Sequence, residues 1–226
     1  MGSDDKKNYV PAEEARIELR VANSRFLATL TRTPTVDAAK AFVARINDEF
    51  SDATHNVPAY QIGHPPAVVS HCNDNGEPQG TAGRPALAVL QGSGYGDVAV
   101  VVTRYFGGTK LGTGGLVRAY GDAVREVLVV ARPAVKILTR TISITIPYPL
   151  HAIVSRQLPL HGVEILDEEF GVQVTTTGRL IEGKLEEVQA ALRELSGGTI
   201  QAETITSETE TIVPVDAPVL IFSQSI

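Results

Sequence analysis

Residues 97–124 read DVAVVVTRYFGGTKLGTGGLVRAYGDAV, which spells out a strand, a glycine-rich loop and a helix in that order. Val98 to Thr103 is a continuous, mostly β-branched run, the composition of a fully buried strand. Gly107, Gly108, Gly112 and Gly114 follow, with Gly115 adjoining, and positions without a Cβ let backbone amides approach a ligand closely. Thr113 then opens a helix with Leu116, Tyr120, Ala123, Val124, Val127 and Leu128 inward and Arg118, Asp122, Arg125 and Glu126 on the outer face. A helix start offers free N–H groups and the positive end of the macrodipole. Gly112, Thr113 and Gly114 are therefore expected to receive an anion, with Arg104 and Lys110 flanking the loop and Arg118 about one turn in.

Upstream, residues 73–85 (NDNGEPQGTAGRP) repeat the device on a smaller scale. Asn73 to Pro78 is dense in turn formers, and Thr81 is expected to cap a short helix through Leu90, with the Arg84 guanidinium at hand. Capping alone also explains glycine and threonine before a helix. Neither loop is a Walker A motif, because no Lys-Ser/Thr pair enters a helix, and neither is GxGxxG after a first strand; a nucleotide triphosphatase is disfavoured. His55 near Asp52, with Asp74, Glu77 and Thr81 on the polar loop, form a second group of candidates, and His55 with Glu77 would suit proton transfer in an enzyme acting on a small anionic substrate. His55, His64, His71 and Cys72 match no compact zinc spacing, so no metal and no cofactor is expected. Arg84, Arg104, Lys110 and Arg118 accompany Tyr105, Phe106 and Tyr120, the ingredients of phosphate contact plus base stacking, although Tyr120 falls on the inward face of its helix.

Around this centre, 17–21 alternates as a half-buried strand and 26–31 reads as its hairpin partner. Thr35 caps a helix with Ala38, Ala41, Phe42, Arg45 and Ile46 on one face, and 57–71 reads as two short strands around Gly63 and Pro65-Pro66. Arg132-Pro133 ends the long helix, and the domain boundary is placed close behind it, giving domains 1–136 and 137–226. The second domain reads as strand 141–147, helix 149–158, strands 163–169 and 172–178, helix 184–195 and strand 199–206, a ferredoxin-like βαββαβ order, with an unassigned tail after 212.

The net charge of −6 is uneven. Residues 1–136 carry 15 basic and 14 acidic side chains, and residues 137–226 carry 5 and 12. A phosphate backbone should therefore meet the first domain, and the acidic second domain is the one expected to contact protein. No apolar run reaches membrane-spanning length, and the start (MGSDDKK) is neither a signal peptide nor, with Lys6 at the sixth position, a myristoylation site. Lone Cys72 fits a reducing cytoplasm.

The run NDNGEPQGTAGRPALAVLQG followed by DVAVVVTRYFGGTKLGTGGLVRAYGDAV, after SRFLA, DATHN and AYQIG in that order, resembles the signature of the IMPACT family in its bacterial YigZ-type branch. The resemblance implies an α+β protein: an N-terminal two-layer α/β domain of the ribosomal-protein and GHMP-kinase type, then a ferredoxin-like C-terminal domain. The basic residues and the two helix starts, taken with this resemblance, lead to the expectation of a non-enzymatic regulator of translation that contacts RNA or a ribosome-associated partner, with no DNA and no membrane. Eukaryotic relatives restrain a starvation-activated kinase through an additional N-terminal domain, and that role is not expected to transfer. Val57-Pro58, Asn75 and Gln79 stand where the family usually has Cys-aromatic, Asp and Ser, which removes a thiol and a carboxylate from the presumed functional face.

Overall fold

The valine run takes the middle of an antiparallel sheet covered by helices on both faces. A computed structural model describes residues 9–215, with backbone only at 207–209. Within it the elements are β1 (Tyr9–Pro11), β2 (Ala15–Val21), β3 (Ser24–Arg32), α1 (Val36–Glu49), β4 (His55–His64), β5 (Ala67–Cys72), α2 (Gly83–Gly92), β6 (Val98–Tyr105) and α3 (Gly112–Val130). Then follow β7 (Pro133–Ile146), α4 (Tyr148–Gln157), a 3-10 turn at Leu158–His161, β8 (Glu164–Phe170), β9 (Val174–Ile181), α5 (Leu185–Ser196) and β10 (Ala202–Pro214).

The described chain divides into two units: residues up to Val135 together with Val213–Val215, and Lys136–Ile212. No linker separates them, because β7 begins eight residues before the expected strand and runs through the boundary. Pro133–Val135 pair with β1, and Thr139–Ile146 pair with β9. Residues 1–8 and 216–226, which include the myristoylation position and most of the unassigned tail, lie outside the described residues.

In the first unit the strand order is β2-β3-β6-β4-β5. Alternation along β6 splits its side chains between two cores. Val98, Val100 and Val102 pack with α2 and α3, and Ala99 and Val101 pack with α1 through Phe42 and Ile46. A run apolar at every position is what a strand buried on both faces requires. The second unit has the βαββαβ order, with β7 next to β9, β9 next to β8, and β10 on β7. Ile142, Ile144 and Ile146 of β7 point into its core against Val154, Val188 and Leu192.

Local details differ from the sequence reading. Thr35 does cap α1, accepting from the Ala38 amide at 3.1 Å, but the buried face runs Ala39, Phe42 and Ile46, leaving Ala41 and Arg45 exposed. Thr81 does not cap α2: its hydroxyl donates to the Pro78 carbonyl at 2.6 Å. Asp74, far back in the chain, does the capping. Its carboxylate accepts from the amides of Gly80 (2.7 Å), Ala82 (3.1 Å) and Gly83 (2.8 Å). Thr113 caps nothing either, because α3 already begins at Gly112 and has no side-chain cap.

Burial alone would raise the Asp74 pKa, but the three amides and Arg84 outweigh it and hold the carboxyl below its ordinary value. A depressed pKa stabilises the fold above the unfolded value of about 3.9, and that contribution fades as pH falls through the folded value. Asp74→Ala should cost about 2 kcal/mol in urea unfolding at neutral pH. The deficit relative to the parent protein should shrink as the titration is repeated below about pH 4. A deficit independent of pH would show that the charge of Asp74 is not what holds α2.

Candidate anion-binding site

The end of β6 carries the chemistry. Cross-strand register sets Phe26 of β3 and His55 of β4 directly opposite Arg104, so the three side chains share one face of the sheet. That face lies under α3, and Tyr120 meets Phe26 edge-on with ring centroids 5.3 Å apart. Arg104 is thereby buried, with 5% of its surface exposed, and a buried guanidinium demands a carboxylate.

Glu77 supplies it. The loop that Asp74 folds back onto α2 turns Glu77 inward, and its Oε1 accepts from Arg104 Nη1 at 2.7 Å and from the Tyr120 hydroxyl at 2.8 Å. Burial, with Glu77 alongside, pushes the Tyr120 phenol far above its ordinary pKa, so it remains a donor. Arg104 Nη2 reaches Ser24 Oγ at 3.4 Å, and the guanidinium lies 5.4 Å from the ring centres of both Phe26 and Phe106. Its Nε is buried without a hydrogen-bond partner among the described residues. His55 stands beside the pair. Its Nδ1 donates to the Asn75 carbonyl at 2.8 Å, which leaves Nε2 facing Glu77 Oε1 at 3.9 Å, beyond hydrogen-bond distance.

The root of the glycine-rich loop is tied down by the same end of the sheet. The Phe106 amide donates to Thr54 Oγ1 at 3.0 Å, the Gly107 amide to Ser24 Oγ at 3.2 Å, and the Tyr105 hydroxyl to Asp52 Oδ1 at 2.8 Å. A Cβ on Gly107 would strike the Asn23 carbonyl, so the loop can cross β3 only with glycine there. Beyond this root the chain opens outward. Gly108 (φ +84°) and Gly112 (φ +71°) take left-handed conformations with nothing packed where a side chain would stand. Gly112, Thr113 and Gly114 are exposed, and among the described residues no side chain accepts from the first turn of α3. Lys110 and Arg118 are exposed and form no ion pair among the described residues. Phe106 is 45% exposed at the foot of the loop.

The expected site residues thus fall into two groups. Lys110, Gly112, Thr113, Gly114 and Arg118 lie along the open loop and the outer face of α3. Arg104 does not stand free beside them as expected; it is an internal partner of Glu77. Asp74 is taken by the start of α2, so that helix start, with Arg84 exposed beside it, already holds a carboxylate of this chain. His55, Asp74, Glu77 and Thr81 do assemble as one loop system, through hydrogen bonds. The sequence reading missed Ser24, which joins this system from β3, and named Asn75 only as a replacement for Asp, whereas its carbonyl holds His55. One signal was present: an arginine two positions past the five apolar residues 98–102, on a strand buried on both faces, implies a buried acid. His64 binds the Tyr9 carbonyl at 3.1 Å and His71 stacks on Tyr60, both away from Glu77, and burial raises the Cys72 thiol pKa.

Comparison with known proteins gives a consistent kinship. Residues 22–128 match the Impact N-terminal domain, and residues 144–199 match a domain of unknown function (DUF1949). An IMPACT family member from Haemophilus influenzae is 35% identical over 192 residues, covering 84% of this chain and 93% of that protein. IMPACT family member YigZ of Escherichia coli K12 is 35% identical over 195 residues, covering 85% of this chain and 95% of its own. A crystal structure titled only as that of a hypothetical protein superposes with a TM-score of 0.58 at 34% identity, over 88% of this chain and 98% of the other. Near full-length similarity across both units, together with the two domain matches, places the chain in the IMPACT family, in its two-domain YigZ-type branch.

Proposed function

We propose that the protein is a non-enzymatic binding protein, a regulator of translation that holds RNA or an RNA-bearing ribosomal component on the open start of α3. One observation carries this reading. The two glycine-containing helix starts of the first unit differ in occupancy: Asp74 fills the start of α2, while the start of α3 is exposed and, among the described residues, has no side-chain cap and is accompanied by Lys110 and Arg118 without ion-pair partners. Free amides at the positive end of a 19-residue helix favour a phosphate oxygen. Phe106 adds an exposed ring, backed by the Arg104 guanidinium, on which a base can stack. Tyr120 drops out of the stacking set, since it is fully buried.

The competing enzymatic reading, with His55 and Glu77 in proton transfer, finds Glu77 already engaged. Glu77 Oε1 is committed to Arg104 and Tyr120, and protonating it would strand a buried guanidinium. His55 would have to act alone.

Fluorescence anisotropy with a labelled single-stranded RNA at low salt tests the proposal. Lys110→Ala and Arg118→Ala should each weaken binding and flatten the salt dependence of log K by roughly 0.7 per lost phosphate contact. Gly114→Asp is the sharper variant, because its Cβ meets open space and its carboxylate would stand at the helix start. It should stabilise the fold by about 0.5 kcal/mol while abolishing RNA binding. No binding by the parent protein at low salt would end the proposal.

The role assigned to Glu77 has its own test. Glu77→Gln should cost about 3 kcal/mol in chemical unfolding, and Tyr120→Phe about 1 kcal/mol. If Glu77→Gln is neutral, Glu77 is not a structural counter-charge, and the case against catalysis falls with it.

A further inference from the structure

In the second unit the turn between β8 and β9 presents apolar side chains to solvent as a group. Val172 is 98% exposed, Phe170 64% and Tyr148 51%. Single exposed apolar residues are ordinary. Here the turn backbone and the two rings are held in place, with Val172 carried at the tip. The Tyr148 hydroxyl donates to the Gly171 carbonyl at 2.8 Å, the Gly171 amide closes the turn on the Gln173 carbonyl at 3.0 Å, and His151 meets the Phe170 ring edge-on at 5.6 Å. Beneath them Glu168 Oε1 accepts from His151 Nε2 (2.9 Å), Ser155 Oγ (3.2 Å) and Thr176 Oγ1 (3.2 Å), the last from a fully buried side chain. A tip ordered in this way loses little freedom when it binds, which is the condition for an aromatic hot spot.

The charge around the tip has one sign. Asp167, Glu168 and Glu169 immediately precede Phe170, and Asp167 and Glu169 are exposed. Arg179, the one cation of β9, is engaged by Glu164 at 2.7 Å. We propose that this hairpin tip is a docking surface for a cationic protein segment, with Phe170 and Val172 entering an apolar pocket and Asp167 and Glu169 meeting lysines or arginines at its rim. The charge excludes the other occupants: RNA and an anionic membrane meet like charge, and a second copy of this chain would bring the same carboxylates to itself. The proposal concerns the second unit alone and stands independently of the α3 site.

The test is photo-crosslinking from the tip of the full chain. Val172→benzoylphenylalanine is irradiated in a lysate of the protein's source cells, and the crosslinked residues are mapped by mass spectrometry. Crosslinks should fall within a lysine- or arginine-rich protein segment. Their yield should drop about tenfold with Phe170→Ala, and comparably with Asp167→Asn combined with Glu169→Gln, while the thermal melt is unchanged. Adducts to RNA, to the chain itself or to segments without cationic residues would overturn the proposal. So would an absence of adducts, or a yield indifferent to neutralising the two carboxylates.

Discussion

A charged side chain at the end of a buried strand is tolerated only where a counter-charge is brought to it, and the pairing of Arg104 with Glu77 organises everything near the glycine-rich loop. Arg104 ends the stretch of β6 buried on both faces, so its guanidinium cannot turn out to water without pulling the strand from the sheet. Glu77 must therefore come inward, and it can do so only because Asp74 folds the 73–82 loop onto the start of α2. Tyr120 then couples the same carboxylate to α3, and Ser24 couples the guanidinium to the loop through the Gly107 amide. Strand, polar loop and long helix are fixed against one another at a single buried point. The exposed turn at Gly112 inherits its position from that point.

What the sequence made readable was whatever depends on neighbours close in the chain. The valine run, the long amphipathic helix and the βαββαβ order of the second unit follow from periodicity over short windows, and the structure has all three. Long-range pairings were not readable in that way. Asp74 caps a helix nine residues ahead, and Thr81, the nearer and more conventional cap, bonds its own turn instead. Arg104 looked like a flanking cation because nothing local reveals that register places it over Phe26 and beneath Tyr120. The early start of β7 escaped notice because Pro133 signals the end of a helix, and its pairing with β1 is decided more than a hundred residues away.

The same distinction separates a helix start filled by its own chain from one that stays open. Residues 80–84 and 112–115 look alike in sequence, each offering glycine, a threonine and a nearby cation. Amides that already hold a carboxylate of their own chain are spent on stability. Amides that no side chain of the described residues caps, set in an open loop, leave the positive end of α3 directed at solvent. Glycine content therefore says where backbone can be approached, and the hydrogen-bond inventory says where it still is approachable.

Charge distribution sharpens this further. The first unit is nearly neutral overall, so under the proposed function affinity for a polyanion would have to arise from directed groups at one place and not from a general basic surface. An acidic second unit in the same chain adds a uniform penalty to every nucleic-acid encounter. The proposed site, a few amides, Lys110, Arg118 and one exposed ring, would overcome that penalty only where all of them engage together. Under the proposed function such an arrangement favours modest affinity with a shallow salt dependence over tight binding.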